Sequence, residues 1–436
     1  MKRATKISII AMIAAFGAVT LPAASQSKKQ YTLDECVSEA VSNNLKLRNA
    51  NGQVAMSEEQ RKEALTKYFP TITASGAAFT ANKSLIQVNL MGMDMAFVKK
   101  GVVAGVQAMQ PVFKGGLIIN NNRLAKVGEE ASRLQRDLTE NEIRLGVEQY
   151  YWQIVMLEEK LVTLNLLDKQ LESVRNDAQV AVDAGIRNRN DLLQVQLRQN
   201  EVRTSIIQAQ NAISTGKDLL AQLMGHANEE FDVSSQFGLG EDEAPMPESP
   251  ESLYQSPETS LAQTYEYQLL DKNIEANKLQ HKLSVGNNLP TVAVGGAYQY
   301  DNILDKSQNH LIGMVSVIVP LTNWWGGSHE MKRMKIQTAN SLNEKQEQSE
   351  MLVIRMRKAW NDMTDAYEQV AIAKESIAQS EENLRLNTDY YQAGTATISD
   401  LLDAQTLYQK SKDKYVESYT LYEIKKREYL LVTGRR

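Results

Sequence analysis

The chain states one pattern twice, and that repetition limits its fold more than any other feature. Ala184-Gly185, Asp191-Leu192-Leu193, Gln196 and Gly225 recur as Ala393-Gly394, Asp400-Leu401-Leu402, Gln405 and Gly434, each 209 residues later. Tyr151 falls on Trp360 and Pro111 on Pro320 at the same offset. Only eight positions of 181–225 are identical in the copy, but most of them fall where helices start and stop. Each half is therefore one copy of a large supersecondary unit.

Proline placement says what that unit contains. Pro70 and Pro290 precede alternating runs, Pro111 and Pro320 end them, and four prolines cluster between 245 and 257. Residues 112–244 and 321–436 hold none. A proline inside a helix costs about 3 kcal/mol, so these tracts suit long helices. Both carry heptads. Leu192, Val195, Val202, Ile206, Ile213 and Leu220 form one seam, matched by Leu401 and by Tyr408, Tyr415, Tyr422 and Tyr429. Upstream, Val147, Tyr151 and Ile154 are mirrored by Met356, Trp360 and Met363. These are coiled-coil seams in which the tyrosines serve packing; polar residues dilute them, so they are expected to be only partly buried. Gly185 and Gly394 break each tract. A helix from Leu117 to that break would run on the order of 100 Å. Gly225 and Gly434 are placed as C-terminal caps.

The runs between prolines alternate with period two. Val292, Val294, Tyr298 and Tyr300 share one face, against Ala293, Gly295, Ala297 and Gln299 on the other. Val315, Val317 and Val319 repeat this, whereas 71–80 and 102–110 alternate less clearly. Each half thus carries a β-hairpin whose strands, roughly ten residues long, suit a tilted bilayer crossing. An open sheet edge cannot face lipid, and four strands cannot close a membrane barrel, for which about eight are needed. At least two chains must share one barrel.

The expected order is a signal peptide over 1–25, a first repeat over 26–225, an acidic linker over 226–260 and a second repeat over 261–436. The first repeat holds a helix, a β-hairpin over 70–113 and a helical hairpin over 117–225; the second holds a helix, a β-hairpin over 290–321 and a helical hairpin over 328–434. The leader has Lys2, Arg3 and Lys6, an apolar run from Ile7 to Leu21, and a cleavage site at Ala23-Ala24-Ser25. No Cys directly follows the cleavage site, so no lipid anchor is expected. The lone Cys36 cannot form an internal disulfide. Losing three leader bases takes the formal charge from -5 to -8, which argues against nucleic acid as partner. No run after the leader is long and apolar enough for a transmembrane helix. The four histidines lack ligand spacing, and phosphate loops and nucleophile elbows are absent, so neither enzyme nor cofactor is expected. Met91, Met93 and Met95 suit a soft metal, but fit an external loop of the longer first hairpin better. Trp324 and Trp325, where strand passes to helix, read equally as an interfacial anchor or as a packed corner.

Several segments resemble the TolC family of outer-membrane efflux proteins. They are Tyr31-Thr-Leu-Asp-Glu-Cys36, Gln110-Pro-Val-Phe-Lys-Gly-Gly116, Val319-Pro-Leu321 with Trp325-Gly-Gly327, and Tyr391-Gln-Ala-Gly-Thr395 followed by Asp400-Leu-Leu-Asp-Ala404. The resemblance covers the mature chain and rests on order, spacing and the repeat. It implies an α+β membrane protein: a homotrimer with a shared twelve-stranded barrel continued by a long coiled-coil α-barrel in the periplasm. It further implies a passive exit duct for small molecules, working with a periplasmic adaptor and an inner-membrane pump of RND or ABC type. A type I protein-secretion duct is the alternative within the fold. A periplasmic coiled-coil scaffold without a channel is the alternative from another class, and it leaves the alternating hairpins unexplained.

The candidate site lies at the helical tips. The resemblance implies that Asp400 and Asp403 narrow the periplasmic entrance. One helical turn puts them on one face, where converging carboxylates attract cations. Asp403 matches Gln194 in the first repeat, so the repeat itself needs no carboxylate there. Asp191 and Asp400 also fit capping boxes, Asn188-x-x-Asp191 and Thr397-x-x-Asp400, which restart each helix after its glycine. Tyr391 matches a tyrosine that helps hold the entrance shut. The family's partner arginine falls at Ala396, while Arg187 holds the equivalent place in the first repeat. Tyr391, Arg187 and Asp191 are therefore the latch candidates.

Overall fold

The computed structural model describes residues 29–90, 93–227, 229–234, 244–303, 306–321 and 323–435. The leader expected over 1–25 lies outside them. In chain order the elements are β1 (Lys29–Tyr31), α1 (Leu33–Asn43), α2 (Leu45–Thr66), β2 (Thr71–Thr80), β3 (Ile86–Leu90), β4 (Met93–Phe97) and β5 (Lys100–Lys114). Then come α3 (Leu117–Asp183), α4 (Arg189–Met224), β6 (Phe231–Val233), the single turn α5 (Pro257–Ser260) and α6 (Tyr265–Gly286). The chain ends with β7 (Thr291–Asn302), β8 (Ser307–Ile318), α7 (Asn323–Gln392) and α8 (Ile398–Val432).

Helices α3 and α7 run 67 and 70 residues, which at 1.5 Å per residue is about 100 Å each. Each returns through a tight turn into α4 or α8. The two turns are alike bond for bond. Ile186 N–H and Arg187 N–H both donate to Ala181 O; Thr395 N–H and Ala396 N–H both donate to Tyr390 O. Gly185 and Gly394 sit at φ 71° and 75°, the left-handed region that only glycine enters without strain.

Strands β2, β5, β7 and β8 form one antiparallel sheet in that order, leaving β2 and β8 as edges. Register puts Tyr298 opposite Leu311 and Val106, and Val294 opposite Val315, on one face. Gln299, Gln107, Thr73 and Ser316 lie on the other. One face therefore suits lipid and the other water. Among the described residues no helix is long and apolar enough to cross a membrane.

A separate ribbon, β3 with β4, stands between β2 and β5. Met93 and Met95 lie on it rather than in a loop, and Met91 lies outside the described residues. Trp325 is exposed in the first turn of α7, which removes the packed-corner reading for that residue in the single chain; the side chain of Trp324 lies outside the description. Where sheet meets helices, Gly115 sits at φ +56°, and a Cβ there would come within 2.3 Å of Gly286 O. Only glycine permits that approach of two backbones.

The main core lies midway along the long helices, where α1 packs on α3 and β1 pairs in parallel with β6. The hydroxyl and the carboxylate of the box Thr32-x-x-Glu35 start α1, which seats Cys36 in this core; burial pushes its thiol up to about 12. The seam tyrosines depart from expectation here. Tyr415, Tyr422 and Tyr429 are fully buried rather than half-exposed. The inter-repeat segment crosses above them, and their hydroxyls donate to Pro245 O, to Glu248 O at 2.5 Å and to Gln255 O at 3.3 Å. A phenol satisfied in this way can be buried without losing a hydrogen bond.

Candidate functional site

At the far end of the hairpins the two turns meet within one chain. The Arg187 guanidinium lies over the Tyr391 ring at 4.1 Å from its centroid. The same guanidinium donates to Tyr391 O at 3.3 Å. The contact joins the first repeat's turn to the end of α7, so Arg187 reaches the tyrosine that Ala396, on Tyr391's own turn, cannot. Burial holds the Tyr391 phenol above its ordinary range, so the ring stays neutral beneath the cation; Arg187 works the other way, and Asp191 adds to the rise. Beneath the turns Leu164, Leu167, Val195, Leu401 and Leu402, with Leu384 of α7 against them, pack the four helices together.

The two capping boxes turn out differently. Thr397 and Asp400 form a complete one: the Asp400 carboxylate accepts from Thr397 N–H at 2.8 Å and from its hydroxyl at 2.6 Å. In return Asp400 N–H donates to the Thr397 hydroxyl at 3.2 Å. The hydroxyl and then the backbone N–H hold the Asp400 carboxyl below its usual range. In the first repeat Asn188 makes no side-chain cap bond, although its backbone is extended like that of Thr397. Its amide leaves the box unmade, and only Asp191 N–H closes the turn, onto Asn188 O. Asp400 thus combines cap and exposed carboxylate. Asp403, one turn on, is exposed as well, and its position serves no cap.

A second set of ionic groups lies on the same seam nearer the core, where α3 packs on α8. Arg427 Nε donates to Glu148 at 2.5 Å, and that carboxylate is 4% exposed. Lys160 stands 3.6 Å from Asp413, and Gln409 bridges Thr163 and Asp413. Burial pushes the carboxyls of Glu148, Asp413 and Glu423 up, with the lysine and arginine partners opposing it. Sequence reasoning missed this set. Its signal was an acid or base on the flank of a heptad helix, one position beside the seam, as Glu148 stands beside Val147.

A lipid-faced sheet with two open edges, running directly into paired helices of such length, defines a membrane duct with a helical tunnel. Comparison narrows the class. The model of the outer membrane efflux protein family matches residues 36–226 and 271–426, and the chain belongs to that family. It is 23% identical over 442 residues to the outer membrane efflux protein BepC of Brucella suis biovar 1 (strain 1330), covering 96% of this chain and 90% of BepC. The Campylobacter jejuni CmeC outer membrane channel shares the fold at TM-score 0.80 and 14% identity, over 99% of this chain and 94% of that one. Crystal structures of CusC, described in connection with folding and transmembrane channel formation, give TM-score 0.80 at 13% identity, over 94% and 93%. The protein is an outer-membrane exit duct of efflux systems, spanning outer membrane and periplasm, and not an enzyme.

Proposed function

We propose that three copies close one barrel and that their hairpins form a periplasmic tunnel, through which a partner pump, RND or ABC, drives small molecules by way of an adaptor. The two free edges of the sheet, β2 and β8, carry this reading. Lipid forbids unpaired edges, and four strands are too few to close alone. A scaffold without a channel has no use for such a sheet. The tunnel supplies no energy. It contributes a wall, a charged entrance and a latch.

In this reading Asp400 and Asp403 ring the entrance, and the Arg187–Tyr391 contact holds the tips of one chain together. The cap fixes Asp400 in place and keeps it ionised, which suits a permanent negative charge. Asp191, tied into no box, stands beside the latch. The leader over 1–25 would deliver the chain for export and be removed. Planar-bilayer recording tests the proposal. The purified protein should give discrete, cation-preferring conductance, blocked by divalent cations from the tunnel side. Asp403→Asn should weaken that block. Arg187→Ala should raise open probability a few-fold, as expected from a cation–π contact of about 0.5–1 kcal/mol. Protein that never conducts would sink the duct; unchanged block in Asp403→Asn would remove that residue from the entrance.

A further inference from the structure

The chain is acidic as a whole, yet residues 95–128 and 276–300, which run into and out of the sheet's two inner strands, contain no Asp or Glu. Arg123 and Lys126 stand on the first turns of α3, and Lys278 and Lys282 on the last turns of α6. Arg123, Lys126 and Glu130 follow i, i+3 and i+7, which puts them on one face of α3. Glu275, Lys278 and Lys282 repeat that spacing on α6. The two faces enclose a groove of about 380 Å³, floored by Val127 and Leu279 at 4% and 5% exposure. Its acids are already engaged: Lys272 holds Glu130 at 2.5 Å and Glu275 at 3.4 Å, and Lys126 stands 3.7 Å from Glu130. Among the described residues no ion pair or hydrogen bond engages the side chains of Arg123, Lys278 or Lys282, and all three are exposed.

The groove opens on the side of the sheet's lipid face. On the opposite side a second hollow is lined by Leu117, Ile118 and Asn121 of α3 together with Thr71 and Pro111. Register sets Thr71 opposite Met109 and Pro111 opposite Ala293, on the face of Thr73, Gln107 and Gln299 that suits water. At about 100° per residue, Arg123, Lys126 and Glu130 lie about half a turn of helix away from that hollow. Height agrees with side. Arg123 is six residues past the start of α3 and Lys282 four before the end of α6, on the order of 9 and 6 Å from the strands. A headgroup layer extends about 5–8 Å beyond the hydrocarbon, and long basic side chains stretch toward it. Helix α3 packs on α2 and α6, and α6 on α7, so the groove is framed by one chain's own helices.

We propose that this groove binds the headgroup of an anionic phospholipid of the periplasmic leaflet, with the phosphodiester seated among Arg123, Lys278 and Lys282. A headgroup of net negative charge suits three uncompensated bases; the ammonium of a zwitterionic lipid would meet the same charges and be repelled. The site needs the sheet seated in the outer membrane and is independent of what the duct conducts. It ties the helices to the membrane surface directly below the barrel.

Native mass spectrometry of the full chain released from detergent tests this, with phosphatidylglycerol and phosphatidylethanolamine added in equal amounts. Phosphatidylglycerol should bind saturably and in preference. Arg123→Gln, Lys278→Gln and Lys282→Gln together should weaken its binding on the order of tenfold or more, because each base near an anionic surface is worth several-fold. The charge-keeping set Arg123→Lys, Lys278→Arg and Lys282→Arg should bind like wild type. So should Lys169→Gln, Lys410→Gln and Lys414→Gln together, which remove the same charge from exposed places far down the helices. Circular dichroism melting checks that each variant is folded. Equal binding of the two lipids by wild type, or undiminished binding by the glutamine set, would overturn the site. Displacement of the lipid by millimolar inorganic phosphate would overturn it too, by assigning the groove to a soluble anion.

Discussion

The first and second helical hairpins turn through identical backbone bonds yet use their seams differently. In the first, the positions Ile206, Ile213 and Leu220 fill the groove against α3 with hydrocarbon. Their counterparts in the second are Tyr415, Tyr422 and Tyr429, whose hydroxyls hold the inter-repeat segment. On the first side Tyr151 makes such a bond, to Ser234 O at 2.7 Å. Along the flanks, α8 presents Asp413, Glu423 and Arg427 where α4 presents Thr204, Ser214 and Asp218. A duplicated scaffold keeps the residues that define backbone geometry and spends its divergence on flanks and tips. The second hairpin became the one whose tyrosines hold the inter-repeat segment and whose flank carries Asp413, Glu423 and Arg427.

The largest test of that contrast is Arg427→Met. It leaves the Glu148 carboxylate buried without its partner and should cost about 3–5 kcal/mol in denaturant unfolding followed by circular dichroism. Replacing both, as Glu148→Gln with Arg427→Met, should return most of the loss. Arg357→Met, at the equivalent and exposed place in the single chain, should barely move the same curve. Equal costs at the two sites would mean that the hairpins are not differentiated as described.

Next in size is the tyrosine strap. Changing Tyr415, Tyr422 and Tyr429 together to Phe keeps the rings but removes four hydrogen bonds, since the Tyr429 hydroxyl also accepts from Gln255 N–H, at about 1 kcal/mol each. Hydrogen exchange over residues 244–255 should accelerate while that of α8 holds. Tyr151→Phe should cost about a quarter as much, through its bond to Ser234 O. If the triple variant left exchange of 244–255 unchanged, the strap would be held by other contacts.

Fold class was readable because the pattern is periodic and long. A few shared residues at one constant offset marked the repeat, and proline-free tracts with heptads marked helices that the structure extends to Asp183 and Gln392. The alternation around Pro290 marked β7. What escaped had no period. The β3–β4 ribbon is ten residues of strand inside what read as a loop. The burial of the seam tyrosines depends on a linker whose path no local pattern encodes. At the tips, sequence placed Arg187 and Tyr391 as separate latch candidates 204 positions apart; only the folded chain stacks one upon the other. Asn188 and Thr397 looked alike as caps, yet only the threonine makes the bond.

The smallest effect tests the charge contrast by pH. In the second hairpin and its partner helix, burial holds Glu423, Asp413 and Glu148 above the ordinary carboxyl range. The native chain then binds their protons more tightly than the unfolded chain does. Stability from these groups must grow as pH falls through the raised values, and the gain is complete below the unfolded values of about 4. The sign is opposite to that for Asp400, whose carboxyl is held low and whose contribution persists until pH falls further. Mild acid should therefore slow hydrogen exchange in the middle of α8, after correction for intrinsic rates, and leave α4 unchanged, because Thr204 and Ser214 do not titrate there. Glu423→Gln, which removes the titrating group, should reduce that response. A response of equal size in α4 would show that the acidity acts through the whole assembly rather than through the α3·α8 seam.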